Sequence, residues 1–253
     1  MISTTADNKK TKIWAVFLWL FAWEAAARLI GQEILLVSPV TVLRRFFELA
    51  WEGEFWRSVM FSFSRIIGGF FLALFLGILL AAAASSCSII RDLAAPPIAV
   101  IKATPVASFI ILVLIWVPSR NLSVIISFLM VLPVIYTNIL QGIRNTDRQL
   151  LEMAGIFRVS RWKRIRYLYV SEVMPFFQTA CSVALGLCWK AGVAAEVIGI
   201  PDGSIGEKLY EAKIYLETSD LFAWTLTIIL LSVCFEKVFL FAVNKVILWV
   251  RRS

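Results

Sequence analysis

Leu150 to Pro175 reads LLEMAGIFRVSRWKRIRYLYVSEVMP, a basic, partly amphipathic insert with long apolar runs on both sides. With Arg144 and Arg148 just ahead of it, the region holds seven cations, the others being Arg158, Arg161, Lys163, Arg164 and Arg166. In a membrane protein that density places the insert in the cytoplasm, because cytoplasmic loops carry the excess of Lys and Arg. Charge alone does not separate a docking loop from one that only sets topology by lying on anionic headgroups.

Working outward, the composition leaves little choice of class. Hydrophobic residues make up 60% of the 253-residue chain, and the mean hydropathy is +0.83. A water-soluble fold of this length has nowhere to hide so much apolar surface, so the chain reads as an all-α integral membrane protein. The absence of histidine removes the usual zinc site and the commonest general base. Cys87, Cys181, Cys188 and Cys234 sit in or beside apolar stretches without metal-ligand or disulfide-framework spacing and read as buried free thiols. No catalytic residue and no metal ligand set is expected. There is no phosphate loop, dinucleotide fingerprint or nucleophile elbow. No cofactor is therefore expected in this chain, and any ATP-Mg engine belongs to another polypeptide. The net charge of +8 needs no nucleic acid, since positive loops facing an anionic leaflet account for most of it.

Six segments are long enough to cross about 30 Å of hydrocarbon: Ile13–Ile30, Ile66–Ser86, Ala94–Val117, Leu122–Ile143, Phe176–Ile200 and Leu221–Val246. The first has signal-peptide features, but Trp23, Glu24 and Arg28 crowd any cleavage site, and it reads as a retained helix. With both termini inside, the cytoplasmic segments hold thirteen basic residues and the outer ones seven, together with nine acids. That asymmetry supports an even number of spans with cytoplasmic termini. Three units follow: residues 1–65, comprising a tail, the first helix and an outer amphipathic segment; residues 66–248, a core containing the loop 144–175; and a basic tail, 249–253. Outside the membrane, Ser38-Pro39-Val40 predicts a turn before an amphipathic helix, and Ile200 to Gly206 reads as turn chemistry. No soluble domain fits anywhere, so capture of a dilute solute falls to a separate protein.

The order of residues in the insert, Glu152-Met153-Ala154, then Arg158-Val159-Ser160-Arg161-Trp162 and Pro175, resembles the EAA loop of type I ABC importer permeases. The likeness extends from about Ser38 to the C-terminus, through Ser62 to Phe70, Pro97 to Pro105, and Ala194-Ala195-Glu196-Val197-Ile198-Gly199. It is similar to the branch handling nitrate, sulfonates, taurine and some vitamin precursors. The resemblance implies a multi-pass protein of the bacterial inner membrane that forms the pathway for a small solute. It implies two permease copies as a homodimer, two P-loop ATPase subunits docked on the loops, and an extracytoplasmic solute-binding protein. Three positions depart from the family pattern. Arg158 replaces a loop glycine, which costs about 1 kcal/mol where the chain needs positive φ. Gly155 stands three residues earlier and is expected to take part of that role. Met153 replaces Ala, and Ser171 replaces a proline.

The loop's own physics fits a docking role. Leu150, Leu151, Ala154 and Phe157 fall at helical spacing and form an apolar knob for a partner's groove. Glu152 is suited to pair with a partner's cation or to cap the loop's first turn. Ser160 is a natural N-cap for a short helix over Arg161–Tyr169, with Trp162, Ile165 and Tyr169 on one face. Within the spans, Lys102, Lys190 and Glu196 are the charges hardest to explain by snorkelling or local pairing, and they are the expected pathway residues. The run Ala191 to Ala195 predicts close helix contact beside Glu196, with Lys102 or a second protomer supplying its cation and the contact closing the outer gate. A self-sufficient secondary transporter or channel is the competing reading; it requires broken helices in matched positions, and no such repeat is visible. An intramembrane enzyme is disfavoured by the missing histidine and nucleophile motifs.

Overall fold

A backbone surrounded by lipid must satisfy its hydrogen bonds within its own segment, so each apolar run condenses into a helix. The computed structural model of the chain describes residues 13–252 and contains no strand among them. The expected cytoplasmic cations Lys9, Lys10 and Lys12 lie outside the described residues, as do the side chains of Arg148, Arg161, Trp162, Arg251 and Arg252. In chain order the helices are α1 (Ile13–Ile30), α2 (Pro39–Ala50), α3 (Gly53–Ser86), α4 (Ser88–Ala103), α5 (Val106–Leu114) and α6 (Ser119–Arg144). After these come α7 (Arg148–Ile156), α8 (Arg161–Arg164), a π-helical turn (Ile165–Tyr169), α9 (Val170–Gly199), α10 (Ile205–Ile214) and α11 (Thr218–Arg252).

Among the described residues, four helical stretches are long and apolar enough to span a membrane: Gly53–Ser86, Ser119–Arg144, Ile165–Gly199 and Thr218–Lys245. The expected third span, Ala94–Val117, is not one rod. It is the pair α4 and α5, bent by 106° at their junction. Proline explains the break. Thr104 precedes Pro105 and takes the extended conformation at φ −82°, ψ 131°, as steric clash with the proline ring demands. Pro105 then opens α5, where its missing N–H leaves no bond unmade.

The core is α6 held between α3 and α9, and glycine sets the spacing. A Cβ built on Gly69 of α3 would lie 2.4 Å from the Val124 carbonyl oxygen of α6. One on Gly77 would lie 2.9 Å from Ile135 Cγ2, and one on Gly192 of α9 would lie 2.6 Å from Ile66 Cγ1 and 2.7 Å from Ser127 Oγ. At this range backbones exchange dispersion contacts along their length, the main cohesive force between helices in lipid. Ser127 Oγ also donates to the Cys188 carbonyl at 3.2 Å. Ile66, Phe70, Val131, Ile135, Ala184, Leu185 and Trp189 fill the seam. By contrast α11 buries only 6% of its apolar window, against 56% for the α9 stretch, so it is peripheral and leaves its face to lipid. It is fastened by Phe239 edge-on to Phe70, by Ser182 Oγ donating to Glu236 at 2.9 Å, and by Gln178 Nε2 donating to Asn244 at 2.6 Å.

The outer end is clasped separately. Ser38 caps α2 by accepting from the Thr41 N–H at 3.2 Å, with Pro39 in the first turn. Arg45 on α2 then grips Asp220 of α11 with two bonds of 2.5 and 2.9 Å, and hydrogen bonding to that carboxylate raises the arginine's pKa. Phe55 stacks on Trp224 with centroids 4.9 Å apart.

The expected units shift accordingly. α3 begins at Gly53, so the boundary at residue 65 falls inside a helix. Residues 249–252 continue α11 rather than forming a tail. The outer helix α10 follows a short turn where only turn chemistry was legible.

Neighbouring glycines test the packing argument. Gly68→Ala meets nothing within 4 Å and should be neutral or stabilising by up to about 1 kcal/mol, since alanine is the better helix former. Gly69→Ala should lower the melting temperature in detergent and reduce the yield of folded protein. Equal melting temperatures for the two variants would reject glycine contact as the determinant of the α3–α6 seam.

Candidate functional site

The basic loop is built on α7. Asp147, which sequence reasoning passed over, caps it by accepting from the Gln149 N–H at 2.8 Å; Glu152 is exposed and lies too far into the helix for that role. α7 closes in a Schellman motif with arginine at the left-handed position. Arg158 has φ +48°, its N–H bonds the Gly155 carbonyl at 3.1 Å, and the Val159 N–H reaches Ala154 at 3.0 Å. Glycine usually fills this place because an L side chain crowds the carbonyl there. Gly155 does not relieve Arg158; it lies inside α7.

Burial rearranges the expected knob. Ala154 is 4% exposed and faces the protein, while Leu150 and Leu151 are half-buried. Of the four expected residues Phe157 alone stands clear, joined by Met153 and Ile156: the three are 74%, 48% and 79% exposed. The apolar surface left bare is therefore a different face of α7. Arg164 fixes this orientation by donating from Nη2 to the Leu151 carbonyl at 2.8 Å, tying α7 to α8.

No separate interfacial helix follows. Ser160 is exposed, and its carbonyl receives the Arg164 N–H at 3.0 Å. The chain then runs through α8 and the π turn into α9 without a gap. Ile165 is exposed and Tyr169 half-buried, while the Trp162 side chain lies outside the described residues. The loop's second half and α9 thus form one continuous helical segment rather than a hinged lever.

The intramembrane charges do not form one site. Glu196 is 0% exposed, and its partner is neither Lys102 nor Lys190. Ser62 Oγ of α3 donates to its Oε2 at 2.6 Å, and the Gly206 N–H of α10 reaches the same oxygen at 3.4 Å. Ser62 Oγ in turn accepts from the Ile205 N–H at 2.9 Å. Ser204 and Glu207 complete the end of α10, accepting from the Glu207 and Gly203 N–H groups at 2.9 and 2.6 Å. The carboxylate therefore sits at the positive end of a short helix and joins α3, α9 and α10. A Cβ on Gly206 would come within 2.3 Å of Glu196 Cβ. The small residues before Glu196 do turn it toward protein. Its surroundings make it a strut at the outer end, enclosed on all sides, rather than a pathway-lining group.

Lys102 is exposed in the last turn of α4, with Nζ 3.5 Å from Thr137 Oγ1 of α6. Lys190 is exposed on α9. Glu24 and Arg28 pair along α1 at 2.7 Å. No cluster of metal-ligating side chains occurs among the described residues.

A body of long apolar helices carrying a basic loop with a bare apolar tip has the architecture of a membrane subunit. Residues 73–247 match the binding-protein-dependent transport system inner membrane component family, and the chain belongs to it. It is a permease subunit of an ABC importer, a transport component rather than an enzyme, in the bacterial inner membrane. Membership implies an ATPase and a binding protein as partners and does not favour a self-sufficient carrier or channel. The single bent helix pair among the described residues likewise lacks the mate that inverted repeats require. A permease from Bacillus subtilis, SsuC, assigned by name to aliphatic sulfonates transport, is 26% identical over 74% of this chain and 68% of its own length. The riboflavin transport permease RibX of Chloroflexus aurantiacus is 27% identical over 88% and 86%. The taurine transport permease TauC of Escherichia coli is 22% identical over 85% and 80%.

Two serines on α3 test the strut. Ser62→Ala leaves both the Glu196 carboxylate and the Ile205 N–H short of a partner and should destabilise by about 1–3 kcal/mol. Ser64, whose hydroxyl bonds the Phe61 carbonyl of its own helix, is the control, and Ser64→Ala should change the melting temperature little. Indistinguishable melting curves for the two would show that the Glu196 network contributes nothing to stability.

Proposed function

We propose that two copies of this chain pair about a central pathway and that each docks one ATPase through α7. A binding protein then delivers a small anion at the outer face. The observation that carries the docking is the bare apolar tip of Met153, Ile156 and Phe157, the last two more than 70% exposed. Side chains this large, held off the protein by a strained left-handed residue, suit insertion into a partner's groove. Full burial of each contributes about 1.5–3 kcal/mol. Phe157→Asp and Ile156→Asp should leave the permease inserted and folded but strip the ATPase during detergent co-purification. Arg158→Gly relieves the turn without touching the tip and should retain the ATPase. Retention by both aspartate variants would reduce the loop to a topology anchor.

An anionic cargo is supported by a groove of about 700 Å³ between α4 and α6. Arg91, Lys102 and, at one end, Arg144 face it together with Tyr136 and Thr137; its one carboxylate, Asp92, already pairs with Arg91 at 3.3 Å. A lysine held in a span at a cost of about 2.5–3.5 kcal/mol is well placed to attract an anion in transit. The exposed Lys190 is kept in the same hypothesis, as a group that pairing of two copies would bring to the pathway. A sulfonate head, present in the substrates named for two relatives, fits these cations better than a neutral vitamin precursor. With the ATPase and binding protein in proteoliposomes, Lys102→Gln should slow sulfonate uptake about tenfold, the scale of one lost charge-assisted hydrogen bond, and Lys102→Arg should restore it. Unchanged uptake by Lys102→Gln would remove this groove from the pathway.

A further inference from the structure

At the cytoplasmic ends of α3 and α6 lies a cleft of about 710 Å³ that the transport reading leaves unused. One end is polar: Ser85 and Ser86 from the last turn of α3, Arg144 from the last turn of α6, and Arg164 from α8 line it. The other end is not. Ala82, Ile143, Ile165 and Tyr169 are shared with a second cleft of about 300 Å³, which continues between α3, α6 and α9. The surface exposed there is apolar; the walls are the side chains of Ile78, Ile139, Val173 and Phe177 among others.

From these features we infer a binding site for an anionic phospholipid of the inner leaflet, its phosphate on Arg144 and Arg164 and one acyl chain in the apolar groove. Three observations support that occupant. The two guanidiniums outweigh the partial negative charge of the converging helix ends, and basic pockets between spans on the cytoplasmic side recognise lipid headgroups. Arg164 Nε is buried with no partner, although Nη2 of the same group is committed to Leu151. The guanidinium is therefore only partly bonded within the protein, and the residue that carries its charge lines the cleft. Last, a free phosphate or sulfonate would use only the polar end, whereas the change from cationic to wholly apolar lining matches a headgroup with its chain.

The site has a consequence for coupling. Arg164 holds α7 through the Leu151 carbonyl and lines the cleft beside the π turn, an element recurrent at functional sites. A phosphate on this side chain steadies the segment that joins the docking helix to α9. Bound lipid should therefore raise the coupling between ATP hydrolysis and uptake without altering the exposed tip of α7.

The test uses the permease–ATPase complex. It is extracted gently, exchanged into nanodiscs of phosphatidylcholine with or without phosphatidylglycerol, and read by native mass spectrometry for retained lipid. The wild type should keep phosphatidylglycerol in preference to phosphatidylcholine. Arg164→Gln should weaken retention about fivefold, the value of one basic residue near an anionic surface, and Arg164→Lys should restore it. Ala82→Phe places a ring where the two clefts join, at an exposed position outside the packed core, and should exclude the lipid while leaving both arginines intact. Inorganic phosphate added to phosphatidylcholine discs separates a lipid from a free anion. Protection of Arg164-dependent coupling by phosphate alone overturns the proposal, as does equal retention of the two lipids or full retention by Ala82→Phe. A disulfide between copies carrying Ser85→Cys would assign the cleft to the second permease instead and also overturn it.

Discussion

The close contact of α3, α6 and α9 is the constraint on which the rest of this molecule depends. In lipid there is no hydrophobic gain from pressing one apolar helix against another, so cohesion must come from backbones that approach within van der Waals range. Gly69, Gly77 and Gly192 make that approach possible, and the position of every functional group follows from it. The seam fixes the direction of α6, whose last turn carries Arg144, and of α9, whose start is continuous with the basic loop. Helices outside the seam, α4, α5 and α11, leave wide apolar faces uncovered, as befits parts that meet lipid or other subunits.

The two ends of the bundle use polar groups in opposite ways. At the outer end Glu196, Ser62, Ser204 and Glu207 satisfy one another and the first N–H groups of α10, leaving little unspent apart from Glu196 Oε1. Such a network is stiff, because losing one member strands the others in a low-dielectric interior. At the inner end, arginines and serines line open clefts and Arg164 keeps a donor free. A rigid outer clasp and an unsatisfied inner surface are what a subunit needs if force enters from the cytoplasm.

Backbone strain falls at the same junctions. Arg158, Ile200 and Leu216 are the non-glycine residues with positive φ among those described. Arg158 and Leu216 end short helices, α7 and α10, in the same bonding pattern, with the Glu217 N–H reaching Ala212 at 2.9 Å. Glycine would adopt these conformations freely. The arginine at the loop instead exposes a charged side chain beside the apolar tip.

The sequence by itself determined the membrane class and the family, and its charge asymmetry supplied the orientation proposed for the basic loop. These rest on composition, charge asymmetry and short-range order, which one chain states directly. It also determined that Glu196 faces protein, because small residues ahead of it permit close packing. What only the tertiary structure decided concerns partners and faces. Ser62 lies 134 positions from Glu196, and no periodicity reports a contact at that range. Helical spacing identified one apolar face on α7, but whether it is buried depends on where the neighbouring helices stand, so Ala154 turned inward while Ile156, outside that face, stayed bare. Pro105 marked a restricted backbone without saying whether the span would kink or fold back through 106°. The clefts exist only between helices far apart in the chain, so their lining was never present in any one segment.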